Sequence, residues 1–287
     1  MKLRRIIAAG VVATLATTGL AACSNSDSSI RIGTTDSARG AWKVFEDKAS
    51  EAGINLQTVE FSDYSTPNDA LAQGELDVNL FQHLKFLANY NVGSDQDLTP
   101  IGSTEIVPLA LFWKDHSNLD GIEGQNIAIP NDTVNQGRAL NVLVQAGLLT
   151  LKSQDLLDPT PADIDESASK VSVTPVDAAQ TPVTYGEGRP SIINNNFLDR
   201  AGIDPTSSIY QDDPNNKLAE PYINAFVTKA EDKDNEDIAK LVEIWHSTEV
   251  QAAVEEDSKG TSVHVQTAPG KLQEILDKLE NDLRSAQ

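Results

Sequence analysis

Three stretches of the chain gather polar and aromatic residues beside apolar alternation. The first runs from Phe61-Ser62-Asp63-Tyr64 through Pro67-Asn68-Asp69-Ala70-Leu71 to Asp77-Val78-Asn79-Leu80-Phe81-Gln82-His83. The second is Pro130 to Leu140, and the third is Ile193-Asn194-Asn195-Asn196-Phe197, echoed later by Pro221-Tyr222-Ile223-Asn224. The second has a direct physical logic. A helix N-terminus exposes unpaired N–H groups and a partial positive charge. Gly137 would let backbone approach a ligand, and Arg138 in the first turn would add a planar, bidentate donor. Together they suit a carboxylate, although the same arginine in a surface ion pair is an equal use of it. Taken singly, His83, Tyr64 and Phe81 read as structural side chains near strand ends. Asn194, Asn195 and Asn196 read as turn formers, because Asn tolerates positive φ.

Catalytic patterns are missing. No Gly-x-Ser-x-Gly elbow and no His-Glu-x-x-His zinc helix is present. His83, His116, His246 and His264 lack metal-ligand spacing. The reading is therefore capture of a small molecule without turnover, with no catalytic residue, no cofactor and no metal. A structural envelope protein is the alternative from another class.

The elements that must carry these stretches alternate between strand and helix. Ile30 and Ile32, then Leu56, Val59 and Phe61, then Leu76, Val78 and Leu80 mark three strands. Ser37 is placed to cap a helix carrying Ala41, Phe45, Ala49 and Ala52 and ended by Gly53. Ile127 and Ile129 mark a strand before a helix with Leu140, Leu143 and Val144 inward. Val171 and Val173, and Ile192 and Ile193, add two strands. Residues 153–170 and 205–220 read as polar surface loops. Asp234 to Glu255 reads as one helix, and a last helix after Pro269-Gly270 places Leu272, Ile275, Leu276, Leu279 and Leu283 on one packing face. The rhythm predicts α/β layers with mostly parallel sheets.

The N-terminus reads as an export signal. Lys2, Arg4 and Arg5 precede an apolar run from Ile6 to Leu20, too short for the ~20 residues of a spanning helix. Leu20-Ala21-Ala22-Cys23 resembles the lipobox of bacterial lipoproteins, which implies cleavage before Cys23 and acylation of that residue. Cys23 is the only cysteine, so an intrachain disulfide is impossible, and lipidation removes a lone exposed thiol. Ser24 to Ser29 would be the tether. The formal net charge of −21 argues against nucleic acid and against direct binding to anionic lipid.

The strings FSDYSTPNDALAQGELDVNLFQH and IPNDTVNQGRALNVLVQAGLLTL closely resemble NlpA-type methionine-binding lipoproteins, the substrate-binding components of methionine ABC importers. The resemblance spans roughly residues 30–255. It implies an α/β fold of the two-lobed periplasmic-binding type (type II-like) with two crossover strands, and the apolar runs Leu109–Trp113 and Ile223–Thr228 are the expected crossings. The implied domains are a signal peptide, 1–22; lipidated Cys23 and tether, 23–29; lobe one, 30–108 plus 224–287; and lobe two, 109–220. It implies that Tyr64, Phe81 and His83 line an apolar side-chain pocket. Arg138 would hold a carboxylate with help from backbone at Asn135, and Asn194 and Asn224 would meet the amino-acid end. Implied partners are L-methionine or a related ligand, the importer's permease and ATPase complex, and a membrane reached through the Cys23 anchor, at the outer face of the cytoplasmic membrane. Another amino acid or a methionine-containing dipeptide is the alternative ligand. The first loop, Gly33 to Arg39, and the residues Asn195-Asn196-Phe197 depart from the family pattern.

Overall fold

The structure, a computed structural model, describes residues 29–153, 156 and 158–286. The export signal and Cys23 lie outside the described residues. In chain order the elements are β1 (Ile30–Thr34), α1 (Gly40–Glu51), β2 (Leu56–Glu60), α2 (Pro67–Ala72), β3 (Val78–His83), α3 (Leu84–Ser94) and β4 (Thr99–Ile106). Then come β5 (Ala110–Phe112), β6 (Asn126–Pro130), α4 (Thr133–Gln145), β7 (Ser172–Val176), α5 (Thr181–Gly186), β8 (Ser191–Ile193) and β9 (Tyr210–Gln211). The chain closes with β10 (Ile223–Thr228), α6 (Glu236–Trp245), α7 (Thr248–Ser258), β11 (Val263–His264) and α8 (Pro269–Ala286).

The strands make two sheets, ordered β11-β4-β10-β3-β1-β2 and β7-β6-β8-β5-β9. This is the expected two-lobed α/β architecture, but both sheets are mixed rather than mostly parallel. In the first, β1 runs parallel to β2 and β3, while β10 is antiparallel to both β3 and β4. In the second, β6 runs parallel to β7 and β8, while β5 is antiparallel to β8 and β9. Strands that arrive from the other lobe have no crossover helix to restore their direction, so they pair head to tail.

The chain passes between the sheets twice. The crossings are not the apolar runs expected from the sequence. Leu109–Trp113 contains β5 of the second sheet, and Ile223–Thr228 is β10, flanked on both sides in the first. An apolar run is buried by a sheet rather than left in a connection. The connections are residues 107–109 and 212–222, and the first of these lines the cleft.

Each sheet has a core on both faces. Trp42, Phe45 and Ala49 of α1 pack with Phe226, Leu241 and Trp245 on one face of the first sheet. Leu84, Leu87, Leu272, Ile275, Leu276 and Leu279 fill the other, so α8 packs on the body as its apolar stripe requires. Ile127, Ile129, Leu140 and Leu143 anchor one face of the second sheet, and Phe112, Ile193 and Phe197 the other. No helix among the described residues is long and apolar enough to cross a membrane.

Three local expectations are corrected. Ser37 does not cap α1. The helix begins at Gly40, and Asp257 of α7 accepts the Ala41 N–H at 2.7 Å in place of a local cap. Asp234–Glu255 is two helices, because Ser247 takes an extended conformation (ψ 152°) and starts α7. Residues 205–220 hold β9 and end in a 3-10 turn, and Asp212 within them is half-buried.

Candidate functional site

The seven residues singled out in the sequence all line one chamber between the lobes, about 380 Å³ of empty space. Tyr64, Phe81, His83 and Asn224 come from the first lobe, and Asn135, Arg138 and Asn194 from the second.

The apolar wall is a triangle of rings. Tyr64, Phe81 and Phe86 stand with centroids 5.9–6.0 Å apart. Phe197 backs Tyr64 at 5.0 Å. Tyr64 sits in the loop before α2 and donates its hydroxyl to Asn196 Oδ1 at 2.6 Å. Burial and then the nearby Asp36 carboxylate hold that phenol well above its ordinary pKa, so it stays a neutral donor.

His83 ends β3 and caps α3. Its Nδ1 accepts the Phe86 N–H at 3.1 Å, which leaves the proton on Nε2, 3.5 Å from Asn135 Oδ1. Burial, reinforced by Arg138, pushes its pKa down to about 3, so the ring is neutral near pH 7. Asn224 lies opposite His83 in the β10–β3 ladder and donates to the Glu105 carbonyl at 3.2 Å.

The polar wall comes from α4. Asn135 is 2 % exposed, and its backbone and side-chain N–H groups both donate to Asp132. Its Oδ1 accepts Asn194 Nδ2 at 3.0 Å. That leaves Asn194 Oδ1 buried in the chamber wall with no hydrogen-bond partner among the described residues. A buried carbonyl in that condition is an acceptor awaiting an N–H.

Arg138 is 4 % exposed, which rules out the surface ion pair. It is also not a free clamp. Nε and Nη2 both reach the Asp212 carboxylate, at 2.7 and 3.2 Å, and Nη2 donates to the Val107 carbonyl at 2.9 Å. Its carbon lies 3.9 Å from the Tyr222 ring centroid. These contacts fix the guanidinium and engage Nε and Nη2.

Two details of the α4 expectation are corrected. Asp132 caps the helix and takes the Asn135 N–H, so backbone at Asn135 is not open to a ligand anion. Gly137 faces the 158–159 segment instead of the cleft: a Cβ there would lie 3.3 Å from the Asp158 Cα.

The sequence reading missed Phe86, Asn196 and Asp212. Phe86 lies three residues beyond His83, and that spacing in a following helix was its available signal. Asn196 lay inside a quoted motif but was read as a turn former. Asp212 had no signal, because nothing in a polar loop marks a partner 74 residues away.

Several contacts join the lobes across the cleft. Asn196 donates to Asp36 at 2.5 Å, and Arg200 donates to the Thr35 carbonyl at 2.7 Å. Lys85 pairs with Asp158 at 2.5 Å, and Lys259 with Asp204 at 2.7 Å.

Two α/β lobes closing on a small aromatic and polar chamber define a substrate-binding protein of the periplasmic type. The NlpA lipoprotein family profile matches residues 30–266, and the chain belongs to that family. It is 32% identical over 230 residues to the D-methionine-binding lipoprotein MetQ of Escherichia coli O157:H7, covering 79% of this chain and 82% of the relative. Protein PG110 of Staphylococcus aureus is structurally similar, with a TM-score of 0.81 and 33% identity, covering 87% of this chain and 99% of the other. A nutrient binding protein from Burkholderia cenocepacia bound to methionine has a TM-score of 0.75 and 32% identity, covering 82% and 99%. Its membership places the chain among substrate-binding lipoproteins of transport systems, not among enzymes.

Proposed function

We propose that this lipoprotein captures L-methionine, or a closely related amino acid, between its lobes and delivers it to the permease and ATPase complex of an ABC importer. The observation that carries the reading is the ring triangle of Tyr64, Phe81 and Phe86 set beside Arg138 and the unpartnered Asn194 carbonyl. Thioether sulfur packs favourably against aromatic edges. A carboxylate takes the remaining reach of the Arg138 guanidinium, and an ammonium donates to Asn194 Oδ1, with Asn224 on the same wall. His83 and Asn135 hold that wall in register without contributing charge. In this reading lobe one is 30–108 plus 224–287, lobe two is 109–220, and Cys23 carries the acyl anchor at the outer face of the cytoplasmic membrane. The names of the similar proteins support the ligand class.

Titration calorimetry with L-methionine tests this, and the expected result is 1:1 binding with the ligand recovered unchanged by mass spectrometry. Absence of heat with methionine, but binding of a different amino acid, moves the assignment to that ligand.

A further inference from the structure

A second chamber of about 490 Å³ adjoins the first. The two share Phe81, Val107, Asn195, Asn196 and Asn224, so they are adjoining spaces of one cleft. The second is lined by charge. Asp36, Arg39 and Glu105 face it, with Asp257 behind Arg39, and the one guanidinium stands 3.8–3.9 Å from all three carboxylates. Asn196 stands where the two spaces meet and is bonded toward each. Its Oδ1 accepts the Tyr64 hydroxyl at 2.6 Å, and its Nδ2 donates to Asp36 Oδ2 at 2.5 Å.

These two bonds differ from those of the neighbouring asparagines. Asn194 pairs with Asn135 inside lobe two, and Asn224 with the Glu105 carbonyl inside lobe one. Asn196 belongs to lobe two, and both of its partners belong to lobe one. Asp36 follows β1 and Tyr64 follows β2, which pair in parallel, so one amide spans two adjacent loops of the first sheet. The same short segment sends two more groups onto those loops. Phe197 backs the Tyr64 ring at 5.0 Å, and Arg200 donates to the Thr35 carbonyl at 2.7 Å. The amide side chain supplies an acceptor for the hydroxyl and a donor for the carboxylate at once. A bond made only where the lobes meet favours the closed, ligand-holding state rather than the folding of either lobe. Asn195-Asn196-Phe197 depart from the family pattern, so the bridge is a property of this chain's own sequence.

We propose that Asn196 is a positioning residue for the ligand: its paired bonds to Tyr64 and Asp36 across the cleft hold the Tyr64 ring in the side-chain pocket and tie that ring to lobe closure. Escape of the ligand then requires both bonds to break as the lobes part. This rests on the first chamber being the amino-acid site, and the test separates the two.

The probe is L-methionine, and its dissociation rate and affinity are measured on the wild type, Tyr64→Phe, Asn196→Ala and the double variant. Tyr64→Phe keeps the ring and removes the hydroxyl. It is expected to speed dissociation about threefold to tenfold in the wild type, and less than about twofold once Asn196→Ala is present. Asn196→Ala alone is expected to speed it at least about tenfold, since it also loses the bond to a carboxylate. Melting curves of the ligand-free variants should show no such coupling. A second arm exchanges the pair. Asn196→Asp sets two carboxylates against each other and is expected to weaken binding about a hundredfold. Adding Asp36→Asn swaps donor and acceptor and should restore affinity to within about tenfold of the wild type. If Asn196→Asp does not fold, as judged by its melting curve, the Tyr64 cycle decides alone. Independent effects of Tyr64→Phe and Asn196→Ala, or an exchange that rescues nothing, overturn the bridge. Coupling of equal size in ligand-free melting makes Asn196 a strut of the fold and overturns it too. Methionine binding that none of these variants alters overturns the positioning role and keeps the proposed function. No methionine binding by the wild type overturns both.

Discussion

The two chambers share three asparagines and a phenylalanine but are organised in opposite ways. In the first, most polar groups are locked to one another at ordinary hydrogen-bond distances: Arg138 to Asp212, Asn135 to Asp132, Asn194 to Asn135. In the second, the charges face one another at 3.8–3.9 Å, and Asp36 Oδ1 and Glu105 Oε2 have no hydrogen-bond partner among the described residues. The first is preorganised, so little freedom remains to be lost when a ligand arrives. The second holds its charges in a looser balance, without close ion-pair contact. The comparison shows one cleft in which a tightly hydrogen-bonded wall adjoins a loosely paired charge cluster.

The largest effect that would break this contrast is at Arg138. Arg138→Ala is expected to lower affinity by roughly 30-fold to several thousand-fold, from ~2–5 kcal/mol for removing one partner of a buried charge pair. It also leaves Asp212 unpaired, so the melting temperature should fall as well. Calorimetry and thermal melting on one preparation check both. Parent-like affinity with a lower melting point would make Arg138 a purely structural strut.

Asn194→Ala removes the free acceptor and the donor to Asn135 together. Hydrogen bonds to charged groups contribute ~1.5–3 kcal/mol, so a loss of roughly tenfold to a hundredfold is expected. Competition binding against the wild type measures it. An unchanged constant would put the ligand's amino group elsewhere.

His83 sharpens the contrast through pH. Its folded pKa, pushed down to about 3 by burial, lies below the unfolded value near 6.5. Between those values the unfolded chain binds a proton that the folded chain refuses, so stability is full above about pH 6.5 and falls as pH drops toward 3. The expected loss by pH 5 is about 2 kcal/mol relative to neutral pH. His83→Gln should lack that component, so the stability difference between variant and parent should change across pH 7 to 5. A difference that stays flat would mean that His83 titrates normally.

The smallest effect is at the ring triangle. Phe86→Leu keeps apolar volume and removes a ring. Preference for methionine over norleucine, its sulfur-free analogue, should fall by about two- to tenfold, as expected from ~0.3–1.5 kcal/mol for a sulfur–aromatic contact. An unchanged ratio would leave Phe86 as core packing only.

Much of the site was legible in the sequence because its residues sit where strands give way to loops and helices. Tyr64, Phe81, His83, Asn135, Arg138, Asn194 and Asn224 were all named from such stretches, and all line the first chamber. Their meaning as a set came from the long motif strings, since each residue by itself also fitted a structural use. The strand–helix order was legible too, because apolar periodicity is a local property that burial enforces. Strand direction, the true crossings and the break at Ser247 were not read. Sheet pairing depends on the return path of the chain, which leaves no period in the sequence.

The partners of charged groups belonged wholly to the tertiary structure. Arg138 was visible as a cation near a helix start, but only the fold brought Asp212 to it and turned a free clamp into a braced one. The cap of α1 came from Asp257, 216 residues further along the chain, not from the nearby Ser37. Glu105 looked like any polar residue in a strand until the first sheet set β4 beside β10 and the Arg39 side chain against it. The sequence determined which side chains were available and which faces had to be buried. Folding within each lobe decided which charges would meet, because Coulomb pairing depends on distance in space and not on separation along the chain.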